Sequence, residues 1–132
     1  MIDVKNAEKG ELMSQNKNPL ELYVAERFRS LYKYSRPTIA SGATPVEKGD
    51  VKNPWFLIEC KMRNTSGFSI KYKDWFNLKS ISDGRRMDPL YIFENKKKER
   101  FAVMDFEDWF LMLEEVMEWR ERYERETGNT TN

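Results

Sequence analysis

Residues 49–61 read G-D-V-K-N-P-W-F-L-I-E-C-K, and the fold depends on how this stretch divides. Asn53 and Pro54 are turn residues, which predicts one short strand in K-G-D-V-K and a second in W-F-L-I-E-C-K-M, joined as a hairpin. The unbroken apolar start, Trp55 to Ile58, predicts burial of the second strand on both faces. Side chains two apart on a strand share a face, so Glu59 and Lys61 project together while Cys60 turns to the other side. The hairpin then returns Asp50 to their neighbourhood.

Upstream, Asn18 and Pro19 form a helix start, with Asn as cap and Pro in the first turn. Leu20, Val24, Phe28 and Leu31 recur on one face, predicting a helix over residues 19–33. A short strand is expected at Thr38–Ala40, before a Ser/Gly/Pro loop. Downstream, Tyr72, Trp75, Phe76, Leu78 and Ile81 are spaced as in a helix that stops at Gly84. P-L-Y-I-F-E-N and R-F-A-V-M flank K-K-K-E as a hairpin. Asp105 then caps a long last helix carrying an apolar stripe from Phe106 to Trp119.

The resulting order α, β, β, β, α, β, β, α predicts one α/β domain with a central mixed five-stranded sheet flanked by helices. The domain is expected over residues 17–127, with the C-terminal helix at 105–126 and looser segments at 1–16 and 128–132. A chain of 132 residues supports one core of modest size, and 39% apolar with 14% aromatic residues supplies the material for it.

The formal net charge is only +1. Its distribution is uneven, because residues 101–132 hold three arginines against nine acids, a net −6, which leaves +7 on residues 1–100. A basic body is compatible with a phosphate backbone as partner, and an acidic end with solubility or a protein partner. The chain has no histidine and a single cysteine, Cys60. Ser-His and Cys-His nucleophile pairs, His phosphotransfer and His-dependent nucleases are thereby excluded. Zinc sites lack their ligands, so a metal here would be a hard ion held by oxygen, Mg²⁺ or Mn²⁺. One cysteine permits no internal disulfide, as suits a reducing cytoplasm. The N-terminal residues form no apolar block and no run approaches the roughly 20 apolar residues of a membrane span, so a soluble intracellular protein is expected.

On this scaffold two carboxylates and an amine converge. Asp50 and Glu59, with a backbone carbonyl such as that of Cys60, can hold Mg²⁺, and Lys61 can orient a water for in-line attack on phosphorus. Phosphodiester hydrolysis is a reaction that such a set can run without histidine. The Glu-x-Lys spacing alone is weak evidence, since a chain this charged yields about one such triplet by chance. Glu94, Asn95 and Lys96 repeat it, at what the pattern predicts to be an exposed hairpin tip.

Over a longer stretch, S-G-A-T-P-V-E-K-G-D-V-K-N-P-W-F-L-I-E-C-K followed by F-S-I-K-Y-K-D-W and P-L-Y-I-F resembles the PD-(D/E)xK nuclease superfamily, a restriction-endonuclease-like fold. Within it the chain is similar to the small Holliday junction resolvases of archaea and phages, over roughly residues 18–104. The resemblance implies a Mg²⁺-dependent endonuclease acting on branched DNA as a homodimer, in the cytoplasm, or the host cytoplasm if phage-encoded. It implies catalytic roles for Asp50, Glu59 and Lys61 and for a glutamate of the first helix. The family's Pro-Asp is here Gly49-Asp50, a departure from the pattern. Glu21 and Glu26 both qualify for the helix position, and the periodicity favours Glu21, at the edge of the buried face. Glu21 also sits three residues after Asn18, where an acid completes a capping box.

The same resemblance places Ser41 in a loop that approaches DNA and sets the helix that begins at Lys71 and Lys73 beside the substrate. Arg63, Lys71 and Lys73 are candidate phosphate contacts, and Arg36, Lys48 and Lys52 lie near the site; for each, a solvated surface position is the alternative. Trp75, Phe76, Trp109 and Trp119 read as core or dimer contacts rather than stacking platforms. A junction offers two equivalent strands, which suits a two-fold dimer, with Leu22 and the last helix as surplus apolar surface. Two other readings stay open: the same nuclease core acting on flaps, ends or other intermediates, and a noncatalytic DNA-binding module whose acids only close ion pairs.

Overall fold

The Asn53 turn is built around its own buried side chain. Asn53 Oδ1 accepts hydrogen bonds from the backbone N–H groups of Trp55 and Phe56 at 2.8 and 2.7 Å, and Nδ2 donates to the carbonyls of Val51 and Phe56. One amide thus satisfies four backbone groups that the reversal leaves without ladder partners. In the computed structural model, which describes residues 19–38 and 49–128, this turn feeds the first strand.

The elements run α1 (Pro19–Phe28), β1 (Phe56–Met62), α2 (Tyr72–Arg85), β2 (Asp88–Glu94), β3 (Arg100–Val103) and α3 (Phe106–Thr127). Strand β1 pairs parallel with β2, from Phe56 opposite Asp88 to Met62 opposite Glu94. Strand β3 returns antiparallel, with Tyr91 opposite Val103 and Glu94 opposite Arg100. The fold is therefore α/β with a small mixed sheet in the order β1-β2-β3.

Among the described residues the sheet has three strands, not the expected five. The two short strands expected beyond β1 reduce to a single antiparallel bridge between Pro37 and Val51. Thr38 N–H donates to the Asp50 carbonyl and Lys52 N–H to that of Arg36. Pro37 has no N–H to contribute, and Gly49 turns away at φ +78°, so the pairing does not extend. Ile39 and Ala40 of the expected first strand lie outside the described residues.

Strands β1 and β2 are covered on both faces. Ile58, Cys60 and Leu90 pack with Leu20, Val24 and Ala25 of α1 and with Val51. On the other face Leu57, Tyr91 and Phe93 pack with Leu78 of α2, joined by Trp75 and Ile70. Alternation along β1 thus sends even-numbered residues to α1 and odd-numbered ones to α2.

Three boundaries differ from the sequence pattern. Helix α1 ends at Phe28, and Leu31 is exposed rather than buried, because turns through Arg29–Ser35 replace the last helical turn. Helix α2 runs through Gly84, and the left-handed cap falls on Arg86 at φ 58°, with Arg86 and Met87 N–H bonded back to Asp83 and Ser82. The hairpin tip is not merely solvated. Glu94 is buried and held by Arg100 and Lys98, while Asn95 organises the turn through the N–H groups of Lys97 and Glu99 and the Ser66 carbonyl.

Helix α3 is capped by Asp105, whose Oδ1 accepts from the N–H of Glu107 and Asp108, and it ends at Gly128 in the left-handed region. None of its residues is buried. No helix among the described residues is long and apolar enough to cross a membrane.

Candidate functional site

Asp50 reaches the outer edge of β1 because the Asn53 turn folds its segment back along that strand. Its N–H donates to the Ile58 carbonyl at 2.7 Å, and its Oδ2 accepts the N–H of Cys60 at 2.7 Å. Within a strand, one residue's N–H and C=O leave on the same edge. The Cys60 carbonyl therefore lies on the Asp50 side of β1, away from β2.

Gly49 makes this approach possible. A Cβ there would stand 3.0 Å from the Ile58 carbonyl oxygen and 3.1 Å from Leu57 Cδ1, and the φ of +78° belongs to glycine. The departure from Pro-Asp noted in the sequence thus has a backbone cause, since proline is fixed near φ −65°.

Glu59 and Lys61 point from β1 towards α2, with Lys61 Nζ 3.6 Å from Glu59 Oε2 and both side chains about two-thirds covered. They open into a cleft of about 240 Å³ whose other walls are Asp74, Asn77, Leu78 and Ile81 of α2 and Tyr91 of β2. Burial, and after it the Asp50 charge, pushes the Glu59 carboxyl above its ordinary value; Lys61 opposes and Asp74 adds to the rise. Tyr91, directly opposite Glu59 in the parallel register, is raised by burial and then by Glu59.

Glu21 approaches from the α1 face. It is half-buried and its Oε1 is shielded from solvent. Burial raises the Cys60 thiol, and the charges of Asp50, Glu21 and Glu59 raise it further against Lys61. All four charged candidates therefore lie within electrostatic reach of residue 60: Glu21 from one face, Glu59 and Lys61 from the other, and Asp50 at the edge. Glu26, the alternative helix acid, is exposed and paired with Arg29 at 2.6 Å.

Among the described residues no three acidic or thiol side chains come together as a ready-made metal cage. The oxygen donors present are two carboxylates and a strand-edge carbonyl. That set suits Mg²⁺, which takes one or two protein carboxylates and completes its shell with water and phosphate. The raised Glu59 carboxyl fits this too, because burial and then the Asp50 charge disfavour its ionised form, and a divalent cation would favour it.

The basic candidates are spread more widely. Lys71 and Lys73 are exposed at the start of α2, the same end as Asp74. Arg63 is exposed just past β1, its guanidinium 5.5 Å over the Phe93 ring. Lys52 is exposed beyond the Asp50 bridge, and Arg36 is half-buried there. Ser41 and Lys48 lie outside the described residues. Asp74, Asn77 and Tyr91 were not singled out by the sequence. Asp74 reads there as an ordinary first-turn acid, and the register that sets Tyr91 beside Glu59 is a long-range pairing without a local signal.

No family description matches this sequence, and no curated protein does. Among solved structures, the fold is similar to Hjc, a Holliday junction resolvase from the archaeal hyperthermophile Archaeoglobus fulgidus, with a TM-score of 0.44 and 15% identity over 62% of this chain and 75% of that one.

Proposed function

We propose that the chain is a Mg²⁺-dependent DNA endonuclease of the PD-(D/E)xK kind that cuts branched DNA, with the four-way junction as its substrate. The observation that carries the reading is the convergence on the end of β1: Asp50 locked to the Cys60 N–H at 2.7 Å, with Glu59 and Lys61 on the neighbouring face.

Asp50, Glu59 and the Cys60 carbonyl would hold the ion, and Mn²⁺ would substitute for it. Bound there, Mg²⁺ supplies positive charge against the scissile phosphate and polarises a water. Lys61 is placed to orient that water and to stabilise charge that grows on phosphorus-bound oxygen. Glu21 reaches the same centre from α1 and adds to the negative field that retains the ion. The Cys60 N–H fixes the Asp50 carboxylate, so the ligand is already oriented before substrate arrives. Lys71, Lys73, Arg63 and Lys52 are proposed to contact the phosphate backbone, with Lys48 and Ser41 as further contacts from their loop. Two chains about a two-fold axis would offer one site to each of two equivalent strands.

The noncatalytic reading has one observation in its favour, the Glu59–Lys61 ion pair, which needs no substrate to explain it. Incubation with Mg²⁺ and labelled four-way junction, flap and linear duplex, beside Asp50→Asn and Lys61→Ala, distinguishes the readings. Paired nicks in the junction, lost in both variants with DNA binding kept, are the expected result. Cutting of flaps or ends instead would move the substrate while keeping the chemistry. No cleavage with either Mg²⁺ or Mn²⁺ would leave a DNA-binding module.

A further inference from the structure

Helix α3 carries two apolar sectors. At 100° per residue, Asp108, Leu111, Met112 and Glu115 fall in one sector, and these line a groove against Pro54–Phe56, Arg86 and Asp88 of the chain's own domain. Phe106, Trp109, Leu113 and Val116 centre on the opposite side, with Phe110 and Met117 at its margin. Phe106 is 63% exposed and Val116 60%. Leu113 at the middle of this second stripe is half-buried and Leu111 of the first sector is itself 60% exposed, so the helix, 22 residues long, leaves apolar surface uncovered on both sides, with Phe106, Trp109, Phe110, Val116 and Met117 all exposed along the second.

The charge on α3 says what can cover it. The helix holds eight acids and three arginines, a net −5, and Glu114 and Glu121 flank the stripe beside Phe110 and Met117. Two such helices side by side would repel. A basic apolar surface fits better, and the same chain has one. On the α1 face of the sheet, a groove of about 290 Å³ is floored by Val24, Phe28, Ile92 and Ala102 and rimmed by Arg27 and Arg100. Helix α1 has only 10 residues and leaves this end of the sheet open. The Arg100 guanidinium lies 4.0 Å over the Tyr23 ring, which holds one rim in place. Residues 1–18, with three lysines balanced by three acids, offer no comparable negative face.

We infer that α3 of one copy docks its aromatic stripe into the α1–β3 groove of a second copy, and that the second returns the same contact. An aromatic anchor from Phe106, Trp109 or Phe110 suits a groove of this size, and the acids beside it meet Arg27, while Arg100, whose Nε is taken by Glu94, adds positive charge at the other rim. One such joint buries on the order of several hundred Å². Two about a two-fold axis approach the roughly 1,200 Å² at which specific dimers are stable. The inference does not depend on the nuclease reading.

Sedimentation of the full chain tests it through two blocked forms. Ala102→Glu places an acid on the groove floor, and Trp109→Ala/Phe110→Ala strips the helix; all three positions are exposed, and circular dichroism with a melting curve checks each fold. Wild type is expected to be a dimer that weakens with salt, each variant alone to dissociate at least about tenfold more readily, and an equimolar mixture of the two to associate more tightly than either variant alone, through its one intact joint, and less tightly than wild type. Monomeric wild type overturns the inference. So does an Ala102→Glu chain that dimerises as wild type does, which would indicate helix-to-helix pairing, and so does a mixture that associates no more tightly than either variant alone.

Discussion

The Cys60 N–H donates a 2.7 Å hydrogen bond to Asp50 Oδ2 across the edge of β1, so the acid is a structural acceptor as well as a candidate ligand. The two roles separate by substitution. Asp50→Asn can still present an amide oxygen to the Cys60 N–H and loses only the charge. Asp50→Ala leaves a partly buried donor unmet.

Asp50→Ala is therefore expected to lower stability by about 1–3 kcal/mol and Asp50→Asn by less than about 1 kcal/mol, measured by urea unfolding. In the proposed nuclease both would lose cleavage. Equal destabilisation by the two would show that charge, not the hydrogen bond, ties Asp50 to β1.

Gly49 was visible in the sequence only as a departure from the Pro-Asp pattern, and its backbone explains why. With φ at +78° and the Ile58 carbonyl oxygen 3.0 Å from any added Cβ, Gly49→Ala is expected to cost about 1–3 kcal/mol. Gly49→Pro should cost more, because its φ cannot be reached at all. In the proposed nuclease, cleavage would fall with stability in both, since a displaced residue 49 also displaces Asp50. A Gly49→Pro chain as stable as wild type would mean that the segment adopts another backbone path.

What could be read from the sequence was what local pattern encodes. Asn53-Pro54 gave the turn, alternation gave the opposed faces of Glu59 and Cys60, and Asp105 gave the α3 cap. Long-range pairing was hidden. Nothing local says that Thr38 and Val51 lie in segments joined by one bridge rather than full strands, or that Tyr91 stands beside Glu59. Periodicity also carried α1 five residues too far past Phe28, to residue 33, because Leu31 keeps the spacing even though the chain has already turned. Glu94 misled for a related reason: next to K-K-K-E it looks solvated, yet Arg100 from the paired strand covers it.

The raised Glu59 carboxyl makes stability depend on pH in a stated direction. Below the ordinary value of 4.5 the group is protonated both folded and unfolded, and it costs nothing. As pH rises through the higher folded value, the folded chain must ionise a carboxyl that burial and Asp50 disfavour, so the stability present at low pH is lost. Glu59→Gln removes that titration. It is expected to match wild type below about pH 4 and to exceed it at neutral pH by on the order of 1 kcal/mol or less, because partial exposure screens the effect. Melting curves from acid to neutral pH check this, and a variant less stable than wild type at pH 7 would show that the Lys61 pair outweighs desolvation. At the proposed metal site, Mg²⁺ would narrow the gap by stabilising wild type more than the variant, since an ion held only by the folded state raises its melting temperature.

Arg86 offers a gain rather than a loss. It ends α2 in the left-handed region at φ 58°, where its N–H and that of Met87 bond back to Asp83 and Ser82. A residue with a Cβ is strained there by about 1 kcal/mol, and glycine is not. Its side chain is exposed, at the rim of the groove under α3, so little packing is lost on removing it. Arg86→Gly is expected to stabilise the chain by about 0.5–1 kcal/mol, the relief of strain being partly offset by the greater freedom of glycine in the unfolded chain. Arg86→Ala separates the causes, since it removes the same side chain but keeps the Cβ. If both variants change stability alike in urea unfolding, the guanidinium rather than the backbone conformation governs this cap.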